Sequence, residues 1–207
     1  MEAHTPDHPI LTPRDFLLHI FTIMVGLLMA LGFESSVEWV HHRHQLSEAR
    51  QMLAGEKSFN IVVYHQDSKS FAEADQEIRL YLKALRQAID TNTTPAEPYT
   101  IDPVSANLQT AVWKTVDHSG ALLLMPTDEL SNNDELYRSI DQLNDQFEKT
   151  YLAIDHARAI FFADPDPHHL THEQQLALYT DLTDVLSNLY EVKMIEIYIE
   201  RHNPEFR

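Results

Sequence analysis

The apolar residues of this chain change their spacing along its length, and each change predicts a different element. From Phe16 to Phe33 they are continuous, FLLHIFTIMVGLLMALGF, with no formal charge. Eighteen residues at about 1.5 Å rise reach roughly 27 Å, near the hydrocarbon thickness of a bilayer. After Phe33 the pattern becomes helical: Trp39, His42, Leu46, Ala49 and Leu53 recur at steps of three and four with no proline, so the apolar segment and the next helix are expected to form one rod. Residues 59–64, FNIVVY, are β-branched enough for a strand but have no matching partner strand, and they are read as helix. Phe71, Ala74, Ile78, Leu82, Leu85 and Ile89 continue a helical stripe up to Thr91-Asn92-Thr93-Thr94-Pro95.

Beyond a linker over 91–104, a short helix is expected from Ser105 to His118, through Leu108, Ala111, Val112 and Val116, closed by Gly120. Its apolar continuation, Ala121 to Met125, stops at Pro126. Asn133 is placed as the cap of a long helix from Asp134 to Phe162, with Leu136, Ile140, Leu143, Phe147, Ile154 and Phe161 on its apolar stripe. Asp164-Pro165-Asp166-Pro167 breaks it. Thr171 with Gln174 then has the spacing of a capping box, opening a last helix from His172 to Arg201 through Leu178, Leu182, Val185, Leu189, Val192 and Ile199. Two long helices joined by a short proline loop pack antiparallel. The predicted fold is therefore all-α: a tail over 1–15, a transmembrane helix over 16–33, helical segments over 34–90, the linker, and a helical bundle segment over 105–207.

Composition sharpens this picture in three respects. Only 4 glycines in 207 residues leave few tight turns, which favours helices over a many-stranded fold. The formal net charge of −17 repels phosphates, so nucleic acid is not expected as a partner. The lack of cysteine excludes disulfides, a thiol nucleophile and cysteine-bound metal. For the apolar segment, eleven Leu, Ile, Phe or Val residues favour insertion by about 3 to 6 kcal/mol together. A buried core helix or a cleaved signal peptide competes with an anchor, but a signal's apolar region is shorter, and here Arg14 is offset by Asp15. Arg14 on one side and Arg43 and Arg50 on the other leave the orientation balanced by charge.

Chemistry-bearing clusters are few. Glu38 and His41 share a helix face at i, i+3 beside His42 and His44, and His168, His169 and His172 lie near Asp164 and Asp166; either group is a candidate divalent-metal site. Interfacial and loop roles explain the same residues. Glycine-rich phosphate loops, G-x-S-x-G and H-E-x-x-H are absent, so neither a catalytic residue nor a cofactor is assigned. Trp113, Tyr137 and Tyr151 read as core or interface aromatics. Within the apolar segment Gly26-x-x-x-Ala30 would let a second helix approach closely, and Trp39 lies at interfacial depth.

The stretch GLLMALGFESSVEWVHHRHQLSEAR, together with Ala111-Val112-Trp113 and Gly120 to Pro126, resembles uncharacterised single-pass bacterial membrane proteins. The resemblance implies a helical domain tethered to the bacterial inner membrane and carries no activity or functional residue with it. The expectation is a non-enzymatic interaction or scaffold protein whose partners are the lipid bilayer and either a second copy or a membrane protein. A ligand-sensing bundle with a separate signalling partner and a histidine-based metal protein are the alternatives. The soluble part is expected in the periplasm, since long downstream domains translocate largely regardless of charge.

Overall fold

In the computed structural model, residues 13–96 and 107–207 are described, and they fall into two compact units, Met1–Glu48 and Ala49–Arg207. Every regular element among them is helical. The first helix, α1 (Pro13–Thr91), contributes to both units; the others are α2 (Ala111–His118), α3 (Thr127–Ala163) and α4 (His172–His202). In the first unit α1 opens with proline at its first position and Asp15 in its first turn, both suited to unpaired N–H groups and the positive end of the dipole. Residues 59–64 lie inside α1 as helix.

The second unit is a bundle of three long helices. Contacts fix its directions. Arg50 meets Glu129 and Phe71 stacks on Phe147 at 4.5 Å, so α1 and α3 run parallel. Tyr64 reaches Glu200 while Gln175 reaches Thr93, so α4 runs antiparallel to α1. Gln146 bonds Asn188 and Tyr198 bonds Glu135, which sets α3 and α4 antiparallel as their short proline loop requires. The core holds most of the stripes read from the sequence: Phe71, Ala74, Ile78, Leu82 and Leu85 from α1, Leu136, Ile140, Leu143, Phe147 and Ile154 from α3, and Leu178, Leu182, Val185, Leu189, Val192 and Ile199 from α4 are buried, whereas Ile89 and Phe161, near the ends of their helices, are half-buried. A 3-10 turn, Pro204–Phe206, folds Phe206 edge-on against Tyr64 at 5.3 Å, and Lys57 pairs with Glu205.

Some boundaries differ from expectation, each for a local reason. The expected helix from Ser105 begins only at Ala111, because the backbone at Leu108 and Gln109 is bonded by side chains from α1 and α3 instead of by its own turn. Leu108 is still buried. Asn133 is not a cap: α3 starts at Thr127 after Pro126, with Asp128 and Glu129 in its first turn, and Asn133 donates to Glu129 O inside the helix. Ala121–Leu124 is a 3-10 turn, entered through Gly120 at φ 75°, a left-handed conformation that glycine adopts without the Cβ penalty. The capping box is present, with Gln174 N–H donating to Thr171 Oγ1 and Thr171 N–H to Gln174 Oε1. Of the expected tail over 1–15, residues 13–15 already belong to α1, as does Thr91 of the expected linker over 91–104; residues 1–12 and 97–106 lie outside the described residues.

Candidate functional site

In the first unit, the most apolar part of α1 is not covered by any of the described residues. Its best eighteen-residue window has mean hydropathy 2.3 and none of it is buried. Leu17, Phe21, Ile23, Leu27, Leu28 and Phe33 are exposed, an arrangement that water penalises and hydrocarbon does not. Two hydroxyls there are satisfied locally. Thr22 Oγ1 donates to Leu18 O at 2.9 Å, and Ser36 Oγ to Gly32 O at 2.7 Å. A helix whose backbone and hydroxyls are internally paired is what a bilayer interior accepts. Nothing approaches within 4 Å of a Cβ built on Gly26, so the face expected to admit a second helix, with Ala30, is open. Trp39 is exposed, with the Arg43 guanidinium 5.3 Å above its ring, a pairing of aromatic and cation suited to a headgroup layer.

The histidine candidates are placed differently from the sequence pattern. Glu38 lies 3.9 Å from His42 at i, i+4, so its neighbour is His42; His41 makes a tilted ring contact with His42 at 6.3 Å. In the loop, His169 is the histidine that engages the aspartates, with Nδ1 2.7 Å from Asp164 Oδ2. That pairing raises the His169 pKa, while the Asp166 backbone N–H and then His169 lower that of Asp164. His168 Nδ1 turns instead to Thr94 Oγ1 at 3.0 Å, and His172 opens α4. Among the described residues no group of three or more His, Cys, Asp or Glu side chains is arranged to hold a metal ion.

Two buried polar layers in the second unit were not anticipated. In the first, the Glu56 side chain, only 4% exposed, accepts the N–H of Val112 at 2.7 Å and of Trp113 at 3.1 Å, capping α2 from α1. Two asparagines hold the preceding strap: Asn60 exchanges two hydrogen bonds with the backbone of Gln109, both at 2.7 Å, and Asn144 exchanges two with Leu108, at 2.8 and 3.1 Å. Trp113 then stacks on Tyr137 at 4.9 Å. Burial and the nearby Glu56 charge push the Tyr137 phenol well above its ordinary range. Of the three aromatics read as core or interface, Trp113 is half-buried, Tyr137 is buried and Tyr151 is exposed.

In the second layer Glu196, 2% exposed, accepts from Ser68 Oγ at 2.6 Å and Lys193 Nζ at 3.2 Å, while Tyr64 OH donates to Glu200 at 3.0 Å. Asp67 lies alongside; burial first, then the Glu196 charge, push its carboxyl up to about 6. A carboxyl titrating near neutrality could exchange protons. A groove of about 380 Å³ on this unit is lined by Glu135, Arg138, Gln142 and Tyr198, and neither Asp67 nor Glu196 is among its lining residues. Glu196 and Tyr64 are bonded within the fold and connect α1 to α4, whereas the buried Oδ2 of Asp67 has no hydrogen-bond partner among the described residues. A signal for both layers is present in the chain: Leu53, Glu56, Asn60 and Tyr64 share one stripe, as do Val192, Glu196 and Ile199, and a polar residue on a buried stripe must find a partner.

Comparison with protein-family models, curated proteins and solved structures gives no match, so no family is assigned.

Proposed function

We propose that this chain is a single-pass protein of the bacterial inner membrane, anchored through Phe16 to Phe33, whose helical bundle serves as a non-catalytic interaction or scaffold module. The observation that carries the reading is the wholly uncovered apolar window of α1. Its eleven Leu, Ile, Phe and Val residues contribute about 3 to 6 kcal/mol toward insertion, from which His19, Thr22 and the two glycines subtract. Its length favours a retained span over a cleaved signal, whose apolar region is about 7 to 15 residues. The scaffold role draws on the second unit, where the buried carboxylates Glu56 and Glu196 bond groups on neighbouring helices.

The bundle is assigned to the periplasm. A reporter fused after Arg207 tests the side: alkaline phosphatase activity agrees with the assignment, and a fluorescent cytoplasmic fusion without phosphatase activity reverses it. Affinity purification of the intact chain from detergent-solubilised membranes tests the role. A partner at fixed stoichiometry is expected. A chain that purifies alone with a stoichiometric divalent metal would replace the scaffold reading with the histidine-based one.

A further inference from the structure

The second unit carries 13 lysines and arginines against 26 aspartates and glutamates, so most of its surface repels a second copy of itself. One face does not. Between Gln51 and Gln66 the single carboxylate is Glu56, and it is buried beneath α2. On the outward side of the same stretch, Met52, Phe59 and Val62 are 47%, 45% and 57% exposed. With Gly55 they follow steps of three, four and three, the spacing of a coiled-coil seam. This stripe is distinct from the stripe that enters the core, Leu53, Glu56, Asn60 and Tyr64. Gly55 is open, with nothing within 4 Å of an added Cβ, and Ala54 and Ser58 beside it are small. A facing helix can therefore come close without meeting a carboxylate from this stretch, whose remaining charge, Lys57, pairs with Glu205.

We propose that this face pairs with the same face of a second copy, in parallel, with Met52, Gly55, Phe59 and Val62 forming the seam. A seam of about 15 Å is too short to hold two dilute soluble chains together. The pairing therefore rests on the proposed anchorage, which confines copies to one membrane in a common orientation and raises their effective concentration. Charge selects the occupant: on a unit this acidic, a surface lacking exposed carboxylates is where two identical copies can meet at least electrostatic cost. In a parallel two-fold arrangement each seam residue faces its own equivalent.

The natural absence of cysteine makes the test direct. Single-cysteine variants Gly55→Cys and Val62→Cys of the full chain, in native membranes, are oxidised and compared with Leu152→Cys, an exposed position on α3. The seam variants are expected to form a species of twice the chain mass about tenfold faster than Leu152→Cys, the gain that confinement of facing residues gives. Phe59→Glu added to Gly55→Cys should return the rate to that of Leu152→Cys without altering the circular dichroism spectrum. Carbonate extraction of the same membranes separates the two claims. If the chain stays in the pellet and the seam and control variants cross-link at equal rates, or the product is not twice the chain mass, the seam is wrong. If the chain is found in the supernatant, the anchorage and the pairing that rests on it both fail.

Discussion

Replacing Glu56 removes the group that ties α2 to α1, and the size of the effect can be worked from its contacts. The carboxylate accepts two backbone N–H groups at the first turn of an eight-residue helix that has no side-chain cap of its own. Hydrogen bonds to charged groups contribute about 1.5 to 3 kcal/mol each. Val112 and Trp113 are half-buried, so water can partly replace the lost acceptor, and the low end applies. Glu56→Ala should therefore cost about 3 kcal/mol, a large share of the 5 to 15 kcal/mol typical of folded proteins. Glu56→Gln keeps one acceptor oxygen and the volume, and should cost about half as much. Urea unfolding followed by far-ultraviolet circular dichroism gives the global loss. Trp113 fluorescence, in a Trp39→Phe background, reports whether α2 has left Tyr137. An alanine variant that loses less than about 0.5 kcal/mol, or whose tryptophan emission is unchanged, would refute the capping role.

Other consequences are equally specific. The Asp67 carboxyl is raised from 3.8 to about 6 in the fold, so its protonated form is the one the bundle favours. Its contribution is fully present below about pH 4 and is lost as pH rises through 6; allowing for partial exposure it is about 1 kcal/mol, and Asp67→Asn should flatten the fall in urea midpoint between pH 4.5 and 7.5. Gly120→Ala should cost about 1 kcal/mol from backbone strain alone, since φ is 75° and the added methyl meets nothing, as thermal melts would show. Val25→Arg combined with Gly26→Arg should release the chain from membranes, each central charge costing about 2.5 to 3.5 kcal/mol, measured by fractionation.

Most of the fold is legible in the sequence because its stripes are long and regular. Leu136 to Ile154 and Leu178 to Ile199 go to the core as their spacing requires, and the Thr171–Gln174 box is a wholly local device. What escaped is tertiary. Asn133 has the composition of a cap, but the chain has already entered α3 at Thr127, after Pro126 and with acidic residues in the first turn. Leu108 fits a helical stripe, but Asn60 and Asn144, some fifty and thirty-six residues away, supply bonds that take the place of a helical turn around it. Glu56 and Glu196 look like two more acids in an acidic chain until the partners that make them core groups are located. Among the described residues the candidate ligands are not brought to one point: Glu38 lies nearest His42 and His168 bonds Thr94, contacts set by side-chain direction and not by sequence spacing.

The central claim is that Phe16 to Phe33 holds this protein in a bilayer, and alkaline carbonate extraction of membranes containing the untagged full-length chain tests it most directly. The full-length polypeptide is expected to stay in the pellet after carbonate and to enter the supernatant only with detergent. Recovery in the carbonate supernatant, or of a shorter chain starting beyond Phe33, would contradict the anchor.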